Sequence, residues 1–239
     1  MDPRKHPWED GDIAFLKGVD EFSDAQYRTL VEPGYLRERA TKHPVIILEH
    51  SPDSKHFLVT TVSAYSSDAS NRYRPPWDQP CHSDKTRDDF RAFAGSKRPN
   101  DLRPDLQLKE GQSFPKPKTS WVYARNYFVV PASVLKKFGK GPARLQMTQE
   151  SLKDLKDHMK KVPRFGGRWK HPVVLKMLKA SAAMLPSTNI SGAPMPRAPP
   201  TTPSPTSSRE APGFNPRTVR PSHAATWSAV ASGPWPCPA

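Results

Sequence analysis

A histidine before a proline, His43-Pro44, a serine twenty residues on, Ser63, and two arginines just upstream, Arg37 and Arg39, form the first set of residues with chemical potential. Imidazole exchanges protons near neutral pH. A serine hydroxyl or a guanidinium hydrogen-bonds phosphate oxygens. Together they suit proton transfer beside a phosphate, with His43, Ser63 and Arg39 as the candidate catalytic group. The plainer alternative is that His43 only opens a strand and Ser63 is an ordinary strand residue.

A second set lies at 121–127, where Trp121, Tyr123, Arg125 and Tyr127 alternate with Val122, Ala124 and Asn126. If the segment is a strand, one face presents aromatics with a cation among them, a surface that stacks bases and holds phosphate. The competing reading is an aromatic strand buried in a core. A third set is basic. From Lys136 to Lys179 there are thirteen Lys and Arg against Glu150, Asp154 and Asp157, so this stretch alone carries +10 of the formal +14. Lys136, Lys137, Lys153, Lys156, Lys160 and Lys161 are its candidate phosphate contacts, whose binding would release counterions; a solvated helical face is the alternative. The first 25 residues run the other way, with seven acids against Arg4, Lys5 and Lys17.

Other chemistry is weaker. Cys81-His82 between Asp78 and Asp84 invites a metal, yet adjacent ligands with no second Cys or His pair rarely encircle zinc, so no metal and no cofactor is assigned. His50 and His56 bracket a strand connector and are expected to face solvent. Lys136 to Arg144, KKFGKGPAR, has no phosphate-loop pattern. Two cysteines, Cys81 and Cys237, make no disulfide framework. The N-terminus lacks an apolar signal-peptide core and no eighteen-residue apolar run occurs, which points to an intracellular protein, cytoplasmic or nuclear, with no membrane span.

The elements that must position these residues follow from composition. With 29 prolines and 35% hydrophobic residues in 239, the folded part must be smaller than the chain. Gly11-Asp12 leads into a strand Ile13–Leu16, and a polar segment follows from about 18 to 42. Residues 43–65, HPVIILEHSPDSKHFLVTTVSAY, read as two strands, Pro44–Leu48 and Phe57–Tyr65, joined by a polar connector. Residues 66–118 are dense in Pro, Ser, Asp and Lys and read as an extended insertion loop, with at most a short helix near 85–93 and few core residues. Trp121–Val130 is strand-like, and Pro131 opens a helical turn through Phe138. Thr148 is a helix N-cap for a segment whose Leu152, Leu155 and Met159 form one stripe, and residues 171–185 predict another helix. From Pro186 the chain holds 13 of the 29 prolines and is expected to be disordered. Within it Arg197 to Pro203, RAPPTTP, fits a polyproline segment for an SH3-type partner, and Thr202-Pro203 and Ser204-Pro205 suit proline-directed kinases.

Strand, polar loop, strand at an X-Pro step, strand ending in Thr and Ser, then a strand followed by a proline-led turn: this order resembles the MazF/PemK-type toxin endoribonucleases. The resemblance rests on Gly11-Asp12-Ile13, on His43-Pro44-Val45-Ile46-Ile47-Leu48 and on Thr60-Thr61-Val62-Ser63-Ala64, and covers about 75 of 239 residues. It implies a mainly β fold with accessory helices, a small SH3-like barrel. By position His43 resembles the family's arginine before proline, which assists the phosphate chemistry, and Ser63 its strand threonine; both residue types differ here, and the bacterial toxins lack the 66–118 insertion. The resulting expectation is a barrel domain over 8–138, a basic helical extension over 139–185 and a tail over 186–239. Its function would be nucleic-acid binding, RNA above all, with metal-independent RNA cleavage as the enzymatic alternative and a protein-interaction adaptor as the third. A homodimer is left open.

Overall fold

The computed structural model describes residues 8–139, 141 and 143–183. The proline-rich segment 186–239, with its Arg197 to Pro203 motif and its Thr-Pro and Ser-Pro pairs, lies outside the described residues.

The β-branched runs form strands. β1 is Ile13–Leu16, β2 Pro44–His50, β3 His56–Ser63, β4 Phe90–Ala92, β5 Trp121–Pro131 and β6 Leu135–Lys137. They make one antiparallel sheet in the order β4-β5-β3-β2-β1-β6. Pro44 is tolerated because it is the first residue of its strand, where a missing N–H costs little. Central β3 is buried from His56 through Val62, as expected of a strand covered on both faces, which needs no polar alternation. β4 and β6 are the edges, with no ladder joining them, so the sheet is not closed by hydrogen bonds. A single 3-10 turn, Ala132–Val134, carries the chain from β5, next to one edge, to β6 at the other. The helical turn expected through Phe138 therefore stops at Val134, and the residues after it extend to pair with β1.

Among the described residues three α-helices accompany the sheet: α1 Asp24–Leu30, α2 Gln149–Met159 and α3 Pro172–Ala183. α1 falls in the segment read only as polar. Its start is a capping box, in which Ser23 Oγ accepts from Gln26 N and Gln26 Oε1 accepts from Ser23 N. α2 begins where Thr148 Oγ1 accepts from Ser151 N at 3.2 Å, and its Leu152, Leu155 and Met159 are all buried in the main core. α2, the 3-10 segment Phe165–Lys170 and α3 contact β5, and α3 also meets α1. Fully burying a Leu or Ile side chain stabilises by about 1.5–3 kcal/mol, so the shared core of Ile13, Ile46, Ile47, Leu58, Val129 and Leu155 ties sheet and helices into one unit.

The segment 66–118 is not a loop with few core residues. It supplies β4, which pairs with Trp121–Tyr123 of β5, and it buries Phe90, Arg91, Phe93, Leu106 and Phe114. In place of a helix near 85–93 there is one 3-10 turn, Arg87–Asp89, running straight into β4. Phe90, Ala92 and Trp121 form a second apolar cluster, flanked by Tyr65, Trp77 and Tyr123. No helix among the described residues is long and apolar enough to cross a membrane.

Candidate functional site

The 3-10 turn Glu38–Ala40 and a left-handed Lys42 (φ 59°) lead the chain into β2. Leu16 N bonds His43 O at 2.9 Å and Lys42 N bonds Leu16 O at 3.0 Å, so β1 holds His43 in place. Its half-buried ring is hydrogen-bonded to the Arg39 carbonyl; burial lowers the pKa of His43, and this bond opposes the shift without reversing it. The imidazole is therefore neutral at neutral pH. β2 pairs with β3 in the register Val45 to Thr61 and Ile46 to Thr60. Carried two residues further, that register sets His43 level with Ser63, and opposite residues of an antiparallel pair share a face.

Beyond Ser63 the chain turns sharply. Ser63 Oγ accepts from Tyr65 N at 3.2 Å, and Tyr65 and Ser66 are both left-handed, at φ 51° and 58°. Tyr65 is half-buried, and its hydroxyl has its pKa raised by loss of solvent, so it stays protonated. Its ring stands edge-on to His82 at 5.2 Å and to Phe90 at 5.5 Å. His82 Nδ1 lies 2.9 Å from Lys85 Nζ, and Lys85 Nζ sits 5.9 Å from the Tyr123 ring centroid. Burial lowers the His82 pKa first, the Lys85 ammonium lowers it further, and the Arg39 guanidinium adds to the same effect, outweighing Asp84. A neutral His82 can then accept a hydrogen bond from the Lys85 ammonium.

At this end of the sheet the register carries His43 level with Ser63, and Tyr65, two residues on, packs on His82, which has Lys85 beside it and feels the charge of Arg39. His82 and Lys85 belong to the segment read as an insertion loop. His82 had stood out only beside Cys81 as a metal ligand, and Lys85 had no role. The sole local signal was their i, i+3 spacing. Among the described residues no group of three or more His, Cys, Asp or Glu is placed to hold a metal ion. Chemically the arrangement offers two unprotonated imidazoles, a hydroxyl and two cations, a set suited to a phosphodiester.

The aromatic face expected on β5 is broken by a change of register and loses its tryptophan to the core. Thr60 pairs with Tyr127 while Val62 pairs with Val122, so residues 123–126 bulge out of register. Thr60 Oγ1 donates to Asn126 O and Asn126 Nδ2 to Thr61 Oγ1, both at 2.7 Å, and these bonds pin the bulge. Trp121 is completely buried and gives its indole N–H to Lys97 O at 2.9 Å, so it is not available to stack a base. Tyr123 is half-buried, and Tyr127 packs edge-on to Phe165 at 5.1 Å. Arg125 is exposed but paired with Asp89 at 2.8 Å. His56, expected in solvent, is 2% exposed inside β3, whereas His50 is exposed and meets Asp10 at 3.0 Å.

The basic residues differ among themselves. Lys136 pairs with Glu21 at 2.8 Å, Lys156 with Asp10 at 3.5 Å and Lys160 with Asp157 at 2.7 Å. Lys153 and Lys161 are exposed, and Lys137, also exposed, gives its ammonium to the Gly141 carbonyl. Half of the six thus have an acid already beside them, which reduces the local field that each offers to a polyanion. The chain matches no protein-family model, no curated protein and no solved structure.

Proposed function

We propose that this chain binds single-stranded RNA at the end of the sheet where His43 lies level with Ser63, within a small SH3-like fold of the MazF/PemK kind. The observation that carries the reading is the convergence of Arg39, His43, Ser63, His82 and Lys85 from three separate stretches of chain. The turn Ala132–Val134, which joins a strand beside one sheet edge to the strand at the other, supports the small-barrel comparison. The excess of positive charge supports a polyanionic partner. In this reading Lys153 and Lys161 extend the phosphate-binding surface, and Lys136, Lys156 and Lys160 contribute less because of their acidic neighbours.

The two imidazoles favour a second reading, metal-independent cleavage. Neutral His43 would take the proton of a ribose 2′-hydroxyl as its oxygen bonds phosphorus. The bond from phosphorus to the 5′-oxygen would break, and the hydrogen-bonded His82 and Lys85 pair would return a proton to that oxygen. Arg39 would balance the charge on the phosphoryl oxygens, and Ser63 would position them. The test is a long RNA incubated with the purified chain in EDTA, with binding and RNA ends both followed. Binding that falls steeply with salt and without new ends leaves a binder alone. Discrete ends that vanish in His43→Ala and Ser63→Ala establish the nuclease, and RNA that neither binds nor breaks sinks both readings.

A further inference from the structure

A shallow, open hollow of about 460 Å³ lies in the segment 66–118, lined by Ser70, Asn71, Arg72, Tyr73, Arg74, Pro75, Asp78 and Lys97. Arg72 and Tyr73 are consecutive left-handed residues, at φ 57° and 55°, a conformation in which the Cβ crowds the following carbonyl. The surrounding bonds over-determine it. Tyr73 N bonds Asp68 O at 2.7 Å, Asn71 Oδ1 accepts from both Asp68 N and Arg74 N, and the buried Gln79 gives its amide to Arg74 O at 2.8 Å. Such strain, held in place at a cavity wall, marks a functional candidate.

What it presents is specific. Arg72 and Arg74 are exposed, and among the described residues neither has an acidic partner. Asp78 is shared by Lys97 and Arg87, at 3.3 Å from each, so the rim keeps a cationic excess. Tyr73, 38% exposed, is backed by Lys118 Nζ at 4.9 Å from its ring centroid. Two exposed guanidiniums beside an exposed ring match a phosphate next to a base. The cavity also adjoins the candidate site. The consecutive 3-10 turns Pro76–Asp78 and Pro80–His82 carry Asp78 on its wall and His82 in the site, and Trp77, Phe90, Tyr65 and His82 form an unbroken run of ring contacts between them.

We infer that this cavity is a nucleotide subsite, in which Tyr73 stacks one base of a single-stranded nucleic acid and Arg72 and Arg74 hold its phosphates, fixing where the strand crosses the His43 site. The inference rests on the RNA reading for its connection to that site, and on the cavity alone for its ligand. The test measures a short, fluorescently labelled single-stranded oligoadenylate by anisotropy over a salt series, and adenosine monophosphate by calorimetry. Arg72→Gln/Arg74→Gln should weaken oligoadenylate about tenfold or more at low salt and reduce the slope of log affinity against log salt by about 1.4, the single-strand value for two lost phosphate contacts. Tyr73→Leu should cost about five- to tenfold, and Tyr73→Phe should bind as wild type. A control that removes equal charge elsewhere, Arg28→Gln/Lys55→Gln, should leave the affinity close to wild type. Oligoadenylate bound equally by wild type, Arg72→Gln/Arg74→Gln and Tyr73→Leu overturns the subsite and spares the RNA reading. Monophosphate binding that Tyr73→Leu abolishes, with no oligoadenylate binding by any form, keeps the subsite and removes the RNA reading. No binding of either probe overturns both.

Discussion

Replacing Asp154 by alanine should be among the most damaging single changes at a partly exposed position. Arg91, on β4, is only 2% exposed, and its Nη2 donates to both Asp154 Oδ2 and Pro104 O. Its Nη1 has no hydrogen-bond partner among the described residues, so the guanidinium depends heavily on the Asp154 carboxylate. Asp154 also receives Arg103 Nη1 at 3.1 Å, from the rim. Removing one member of a buried pair leaves an uncompensated charge and costs about 3–5 kcal/mol. The Asp154 side chain is 31% exposed, which admits water and places the loss near the lower end, about 3 kcal/mol. Arg103→Ala breaks only the more exposed pair and should cost under about 1 kcal/mol. The double variant Asp154→Ala/Arg91→Met removes the stranded charge itself and should recover at least half of the single-variant loss. Urea unfolding at neutral pH reads all three. With a slope of about 2 kcal/mol/M, Asp154→Ala should lower the midpoint by about 1.5 M. A loss below about 1 kcal/mol for Asp154→Ala, or a double variant weaker than the single one, would refute the claim that this carboxylate neutralises Arg91.

Further outcomes follow from single contacts. Thr148→Ala deletes the α2 cap that accepts from Ser151 N and should cost about 1 kcal/mol, read by the same unfolding assay, with Thr148→Ser close to wild type. Gly95 has φ +91°, and an added Cβ would lie 3.0 Å from Pro117 O, so Gly95→Ala should lose about 1–3 kcal/mol; no change would mean that the 95–117 contact is loose. His158 is buried in α2, and burial, followed by Arg103 and Arg91, depresses its pKa from 6.5 to about 4. The unfolded chain therefore binds the proton more readily. Stability from this group is complete above about pH 6.5 and is lost as pH falls towards about 4. A pH series of unfolding free energies should decline more gently over that window in His158→Gln than in wild type. Parallel declines would show that His158 contributes nothing to it.

Runs of β-branched residues announced β1, β2, β3 and β5 because a strand needs only local propensity and an apolar face. Thr148 announced α2 because a cap is a bond between neighbours in sequence. β4 could not be read in this way. Its three residues, Phe90-Arg91-Ala92, include an arginine that looks solvated until Asp154, sixty-three positions away, arrives beside it. His56 looks solvent-facing on local grounds and Trp121 suits either an open aromatic face or a core; both are buried because the surrounding sheet and insertion cover them.

The sequence by itself determined which segments seek a sheet or a helix and where the positive charge accumulates, since both depend on residue type and short-range spacing. Only the tertiary structure decided that the β2–β3 register carries His43 level with Ser63 and that Tyr65, two residues past Ser63, packs on His82 with Lys85 beside it. It also decided that Arg72 and Tyr73 are held in a left-handed turn at a cavity wall. Periodicity tells each element which face to bury; which faces meet depends on packing among residues far apart in the chain.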